Sequence, residues 1–222
     1  MSASDETVAA TPSRQERRKE RTRDSIVEAA RELLIAEGPD VSIQAITDRA
    51  DVAIGSFYNH FEGKQDVFVA VAMVLLQEFE ADLAQRVASI TDPAEIPCVG
   101  LRLILRLPDT HPDTAKVFVA VGPRLPISPT GYSPAFEHDI RAAIAAGRYT
   151  SHNPELLMIM ISGAYQHVLT LRMMNPSIGP EIVDDLAQEM LEMFGMTPAE
   201  AKKIAHKKLP PEVGAPPARH AR

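Results

Sequence analysis

Near the amino end, apolar helical patterns are crowded between closely spaced breaks, and this crowding restricts the fold more than any other feature. Ile26, Ala30, Leu33 and Leu34 recur at the spacing of one helical face until Gly38-Pro39 stops them. Val41-Ser42 restarts the pattern: Ser42 is a good N-cap, and Val41 before it can pack on Ile46 as a hydrophobic staple. A second helix is expected over Ile43–Ala50, and Asp51-Val52-Ala53 leaves room only for a tight connection to a third. Short helices joined so closely must cross sharply over a shared apolar centre, the spacing of a helix-turn-helix.

On a helix starting near Ala53, the 3.6-residue period puts Ala53, Phe57 and Phe61 on one inward stripe. Gly55 and Asn59 fall opposite, with Ser56 and Tyr58 on the flanks. That outer face is small or hydrogen-bonding: Gly55 admits a close backbone, Asn59 can pair with a base edge, and Ser56 and Tyr58 can reach phosphates. Glu62-Gly63 then breaks the helix, and Lys64 opens the next one, where unpaired backbone N–H groups already favour an anion. Found singly, Tyr58 would read as a half-buried core residue, His60 as a local hydrogen bonder and Lys64 as a surface lysine. In this order and on this helix they point to a DNA groove.

The net charge of −7 argues against a polyanionic partner, but charge is unevenly spread. Arg14, Arg17, Arg18, Lys19, Arg21 and Arg23 stand against Glu16 and Glu20, a local balance of +4. A charge run alone is usually a solvated helix start; beside a helix-turn-helix, Arg17, Arg18 and Arg21 become candidates for phosphate contact. Residues 1–23 are therefore expected to form a flexible basic arm. The lone cysteine, Cys98, cannot make an internal disulfide, and no metal motif surrounds it, which fits a packed thiol in a reducing compartment. The apolar run Val67–Leu76 is far short of the roughly 20 residues of a membrane span, and the polar amino end lacks a secretory pattern. A cytoplasmic protein without membrane, metal or cofactor is expected.

The string Phe57-Tyr58-Asn59-His60-Phe61-Glu62-Gly63-Lys64, preceded by Val52 and Gly55-Ser56, resembles the DNA-binding domain of the tetracycline-repressor (TetR) family of bacterial transcriptional regulators. The likeness covers about Asp24 to Phe68. It implies that the helix holding Gly55 to His60 is the recognition helix, that Tyr58 and Lys64 hold the DNA backbone, and that Ile54, Ser56 and Asn59 lie near the bases. Ser42 and Gln44 of the preceding helix are added as DNA contacts. Two positions depart from the family pattern: Asp51 stands where glycine is common, and Ala53 where a serine or threonine would often cap the recognition helix.

At 222 residues the chain exceeds one small domain, and with 45 % hydrophobic residues it can fill a second core. Helices are expected over 65–89, 94–107, 113–121, 135–146, 154–174 and 197–209, with a loop from Gly122 to Pro134 and a disordered tail over 210–222. The stretch Leu101–Leu107 also alternates with period two, so a strand competes there with a helix. The expected architecture is all-α, with a three-helix DNA-binding domain over 24–68 and a helical ligand-binding and dimerisation domain over 69–209.

The helix over 154–174 is apolar on nearly every side and must be buried. With a second apolar face beyond it, a four-helix interface between two copies is expected through Leu157, Ile161, Ala164, Val168, Ile182, Leu186, Met190 and Met193. Arg102, Arg106, Tyr132, His138, Tyr165 and His167 lie in or beside apolar segments, where polar groups would orient a small apolar ligand, an anionic one included. No catalytic or metal motif is present. The function expected is that of a homodimeric repressor on palindromic operator DNA, released by a small-molecule effector. The competing reading is a helical protein-interaction adaptor that does not bind DNA.

Overall fold

Capping chemistry explains where the first helix of the computed structural model begins; the structure describes residues 13–122, 125, 133–151 and 153–211. Ser13 Oγ accepts from the Glu16 N–H at 3.2 Å, and the Glu16 carboxylate accepts from the Ser13 N–H at 2.5 Å. This capping box starts α1, Arg14–Glu37, and its hydrogen bonds hold the Glu16 carboxyl below its ordinary pKa. Residues 14–23 are thus the first turns of α1, and the rest of the expected arm, residues 1–12, lies outside the described residues. Gly38 ends the helix at φ 81°, a left-handed conformation that favours glycine, with its N–H on Leu34 O.

Helix α2, Ile43–Arg49, is capped as its sequence predicts: Ser42 Oγ accepts from the Ala45 N–H at 3.0 Å. Val41 and Ile46 are both buried, as a staple requires. The connection to α3, Ile54–Tyr58, passes through Asp51 at φ 53°, the one positive φ outside glycine among the described residues. Aspartate tolerates this region better than most side chains, so the turn forms without glycine. Ala53 is the N-cap of α3, has no side-chain bond to offer and is exposed, whereas the inward stripe predicted it buried. Phe57 and Phe61 do pack inside, with Ile26, Ala30, Leu34 and Ile46, where α1, α2 and α3 meet.

Helix α4, Lys64–Val87, contributes to both compact units of the chain, which divide after Val71. The second unit holds α5 (Glu95–Ile104), α6 (Leu107–Thr110), α7 (Pro112–Val121), α8 (Pro134–Ala145), α9 (Pro154–Met174), α10 (Glu181–Met193) and α11 (Pro198–Ala205). All regular elements among the described residues are helices, which settles Leu101–Leu107 against a strand. The single helix expected over 94–107 is instead broken after Ile104. Pro108 lacks an N–H, and its ring would meet the carbonyl of Ile104 in a continuous helix, so α6 starts afresh with the proline in its first turn.

Helix α5 packs on α8, α10 and α11, while α6 and α7 pack on α9, around Cys98, Leu105, Phe118, Ile140, Met158, Leu169 and Leu191. Burial pushes the Cys98 thiol up to about 12, so it is a packed, protonated group. In α9, Met158, Ile161, Tyr165, Leu169 and Arg172 form the buried stripe. The other side is not buried in the protomer: Leu156, Ile159, Met160, Leu171 and Met174 are exposed. Within the protomer α9 is therefore half-covered, and this apolar side is left for whatever packs on it.

Candidate nucleic-acid interface and apolar cavity

Helix α3 separates its two faces sharply. Phe57 is fully buried, with Tyr58 edge-on at 5.5 Å and Phe61 at 5.6 Å between ring centroids, while Ile54 and Tyr58 are 46 % and 57 % exposed. Gly55 and Asn59 are exposed beside them, and Ser56, His60 and Lys64 are half-buried. A helix this short cannot hold itself together, and packing through Phe57 fixes which side chains face outward. The outer face therefore carries one apolar group, one phenol, one amide and a bare stretch of backbone at Gly55.

Two further groups shape this face. The Arg23 guanidinium lies 5.5 Å from the Phe61 ring centroid, a cation–π contact that ties α1 to the end of the motif. Partial burial, then the charges of Lys19 and Arg23, lower the His60 pKa, which favours the neutral imidazole. Asp66 accepts from the Glu62 N–H at 3.1 Å, which closes the connection before Lys64 at the start of α4.

Arg17, Arg18 and Arg21 are exposed on α1, where each can meet a polyanion. Ser42 and Gln44 are exposed but engaged: Ser42 caps α2, and Gln44 Nε2 donates to Asp48 at 2.6 Å. An exposed ion pair, Arg49 to Glu32 at 2.6 Å, links α2 to α1. The sequence pattern showed Arg23 only as one charge of the basic run and did not mark Arg49, because the aromatic face and the carboxylate they meet lie on other helices.

A cavity of about 480 Å³ opens in the second unit among α4, α5, α8 and α9. Phe79, Leu83, Ile104, Phe136 and Ile161 supply apolar wall; Glu80, Ser133, Asp139, Ser162 and Tyr165 supply the polar atoms. Of the six residues the sequence offered for a ligand, Tyr165 alone lines it, and Tyr132 lies outside the described residues. His138 and His167 are exposed and do not line it.

Arg102 and Arg106 do not line it either. Their Nε and Nη2 atoms reach the same Asp184 oxygen at 2.7 and 2.8 Å, and further bonds run to the carbonyls of Lys207 and Pro180. These arginines clamp α5 to α10 and to the chain beyond α11, and a cation committed to a carboxylate inside the fold is unavailable to an anionic ligand. Arg172, also buried, reaches both oxygens of Asp109 through Nη2 at 2.9 and 2.7 Å, while its Nη1 and Nε donate to the carbonyls of Leu105 and Ile178. The sequence reading missed Glu80 and Asp139, although Asp139 shares one helical face with Phe136 and Ala143, a pattern that could have shown it.

Of the interface candidates, Ile182 and Met193 are exposed, and Leu157, Ala164, Val168 and Leu186 are half-buried. Ile161 and Met190 are buried within the protomer, Ile161 against the cavity, so in this arrangement they are core residues and not surface.

A family model described as "Tetracyclin repressor-like, C-terminal domain" matches residues 92–207, and one described as "Bacterial regulatory proteins, tetR family" matches residues 26–71. The HTH-type transcriptional repressor DhaR of a Mycobacterium species is 38 % identical over 78 residues, 35 % of this chain and 37 % of that protein. An uncharacterized HTH-type transcriptional regulator, TtgW of Pseudomonas putida, is 39 % identical over 62 residues, 28 % of this chain and 46 % of its own. The chain thus spans less than half the length of these curated relatives. The crystal structure of RolR in complex with resorcinol aligns with a TM-score of 0.65 and 25 % identity over 88 % of this chain and 98 % of that one. FadR of Bacillus halodurans, at 19 % identity, TM-score 0.57 and coverage of 77 % and 94 %, shares the fold.

Proposed function

Because the chain belongs to the tetracycline-repressor family of bacterial regulators, we propose that it is a homodimeric repressor that binds palindromic operator DNA and leaves it when a small molecule fills the cavity. The observation that carries this reading is the outer face of α3, where Ile54 and Tyr58 stand exposed over a fully buried Phe57. A large apolar side chain in that position gains nothing from water and fits a thymine methyl. Asn59 is the base-reading amide; Tyr58 and Lys64 hold phosphates, with Arg17, Arg18 and Arg21 adding sequence-independent attraction. The family's members are regulators, and the chain is read as one and not as an enzyme.

One short recognition helix reads too few bases alone, whereas two related by a two-fold axis read half-sites about 35 Å apart. The uncovered apolar side of α9, with Ile182 and Met193 of α10, is the surface expected to pair with a second copy. RolR was solved with resorcinol, and the cavity here has the size and apolar walls of a small-ligand site. Helix α4 carries Lys64 at its start and Phe79, Glu80 and Leu83 of the cavity wall further along. A ligand that binds better to one arrangement of the protein shifts the population towards it, and by linkage DNA weakens ligand binding by the same factor. Such a regulator works in the cytoplasm, where its operator is. Selection of bound duplexes from randomised DNA tests the reading: a two-fold symmetric consensus is expected, and failure to enrich any sequence would remove DNA recognition from it.

A further inference from the structure

Two carboxyl groups interrupt the apolar wall of the cavity, and no lining residue of opposite charge answers them. Glu80 comes from α4, within the same stretch as Phe79 and Leu83, and Asp139 comes from α8, three residues after Phe136. Among the described residues that line the cavity there is no Lys, Arg or His. The Ser133 hydroxyl donates to Glu80, which holds that carboxylate in place.

The electrostatics follow from this placement. Burial raises the Asp139 carboxyl above its ordinary pKa; neighbouring His138 opposes the shift, and the charge of Glu80 adds to it. An anionic ligand would enter against both carboxylates and find no cation in the wall. A neutral ligand would leave their repulsion in place. A cation would neutralise part of it in a setting where water screens poorly. Phe79, Phe136 and Tyr165 add aromatic rings around the same space.

Resting on the reading of this cavity as the effector site, we propose that it selects an amphiphilic organic cation, with an ammonium group held by Glu80 and Asp139 and an aromatic or alkyl body against Phe79, Leu83, Ile104 and Phe136. This reverses the charge that Arg102 and Arg106 suggest in the sequence, since both are spent on Asp184. Ligand charge is then a specificity filter: hydrophobic amines enter, and carboxylic acids of the same shape are refused.

A charge series of matched shape tests this on the full-length protein. Phenylbutylamine, phenylbutanol and phenylbutyrate are titrated calorimetrically at neutral pH. The amine is expected to bind about 10- to 100-fold more tightly than the alcohol, the range of a hydrogen bond to a charged group, and the butyrate most weakly. Asp139→Asn should remove most of that advantage and leave the affinity for the alcohol unchanged, with an unaltered circular dichroism melting curve reporting an intact fold. The series on the unmodified protein decides the matter even where the variant fails to fold. Alcohol or butyrate binding as tightly as the amine overturns the charge selection and leaves the cavity standing as a ligand site. Binding of none of the three overturns the cavity reading, and the selection with it.

Discussion

In the first unit Arg17, Arg18 and Arg21 stand exposed on α1, whereas in the second Arg102 and Arg172 are each only 3 % exposed. The first group costs little to keep, because water hydrates it on the surface of α1. The second group would be ruinous without partners and is committed to Asp184, Asp109 and several backbone carbonyls. The same residue type therefore stands on the surface in one unit and is an internal fastening in the other. Burial, and not the residue, distinguishes them.

The most severe way to probe that contrast is to break a fastening. Arg172→Ala strands the Leu105 and Ile178 carbonyls, while Asp109, 47 % exposed, can turn to water; the expected cost is about 2 to 4 kcal/mol, from acceptors left without a donor. Urea unfolding followed by circular dichroism measures it, and a loss below about 1 kcal/mol, the level of an exposed pair, would show the fastening to be ornamental. Arg172→Lys should recover only part, since one ammonium nitrogen cannot serve Asp109, Leu105 and Ile178 at once.

On the reading surface the expected effects are smaller and concern DNA. Asn59→Ala should cost about 1 to 3 kcal/mol at one base position of the selected operator and little elsewhere. Titration against single-base operator variants measures this, and an equal loss for every sequence would place Asn59 on the backbone. Ala53→Ser supplies the side-chain cap that α3 lacks and should raise stability by about 0.5 to 1 kcal/mol. Thermal unfolding of the free protein reads that gain. Removing one exposed cation, as in Arg18→Gln, should leave the unfolding curve unchanged and lower the salt dependence of DNA binding by about one unit of slope. If it destabilises the fold instead, the contrast between the two groups of arginines fails.

Legibility differed between the units for physical reasons. Ser42, Gly38 and the Gly63-Lys64 step mark helix ends through contacts within one turn, so the local sequence suffices to place α2 and the start of α4. The face of α3 was legible because a half-buried helix alternates apolar and polar residues with its own period. Ala53 was misplaced because the period was extended one residue beyond the helix, into the cap. In α9 the same method had little to work on: where nearly every residue is apolar, the period carries no information about which side meets the core. The exposure of Leu156, Ile159, Met160 and Met174 had to come from the neighbouring helices.

What the sequence determined by itself is most of the helices, several of their caps and breaks, and the polar face on a short helix after a tight turn, because each depends on residues a few positions apart. Tertiary structure alone decided the roles of the charged residues in the larger unit. Asp184 lies 82 residues from Arg102 and 78 from Arg106, and Ser133 lies 53 from Glu80. No local period can reveal such pairings, since chain folding brings the partners together. Whether a buried charge becomes a fastening or faces a cavity depends on which opposite charge arrives beside it: Asp184 reached the arginines, and no lining cation reached Glu80 and Asp139.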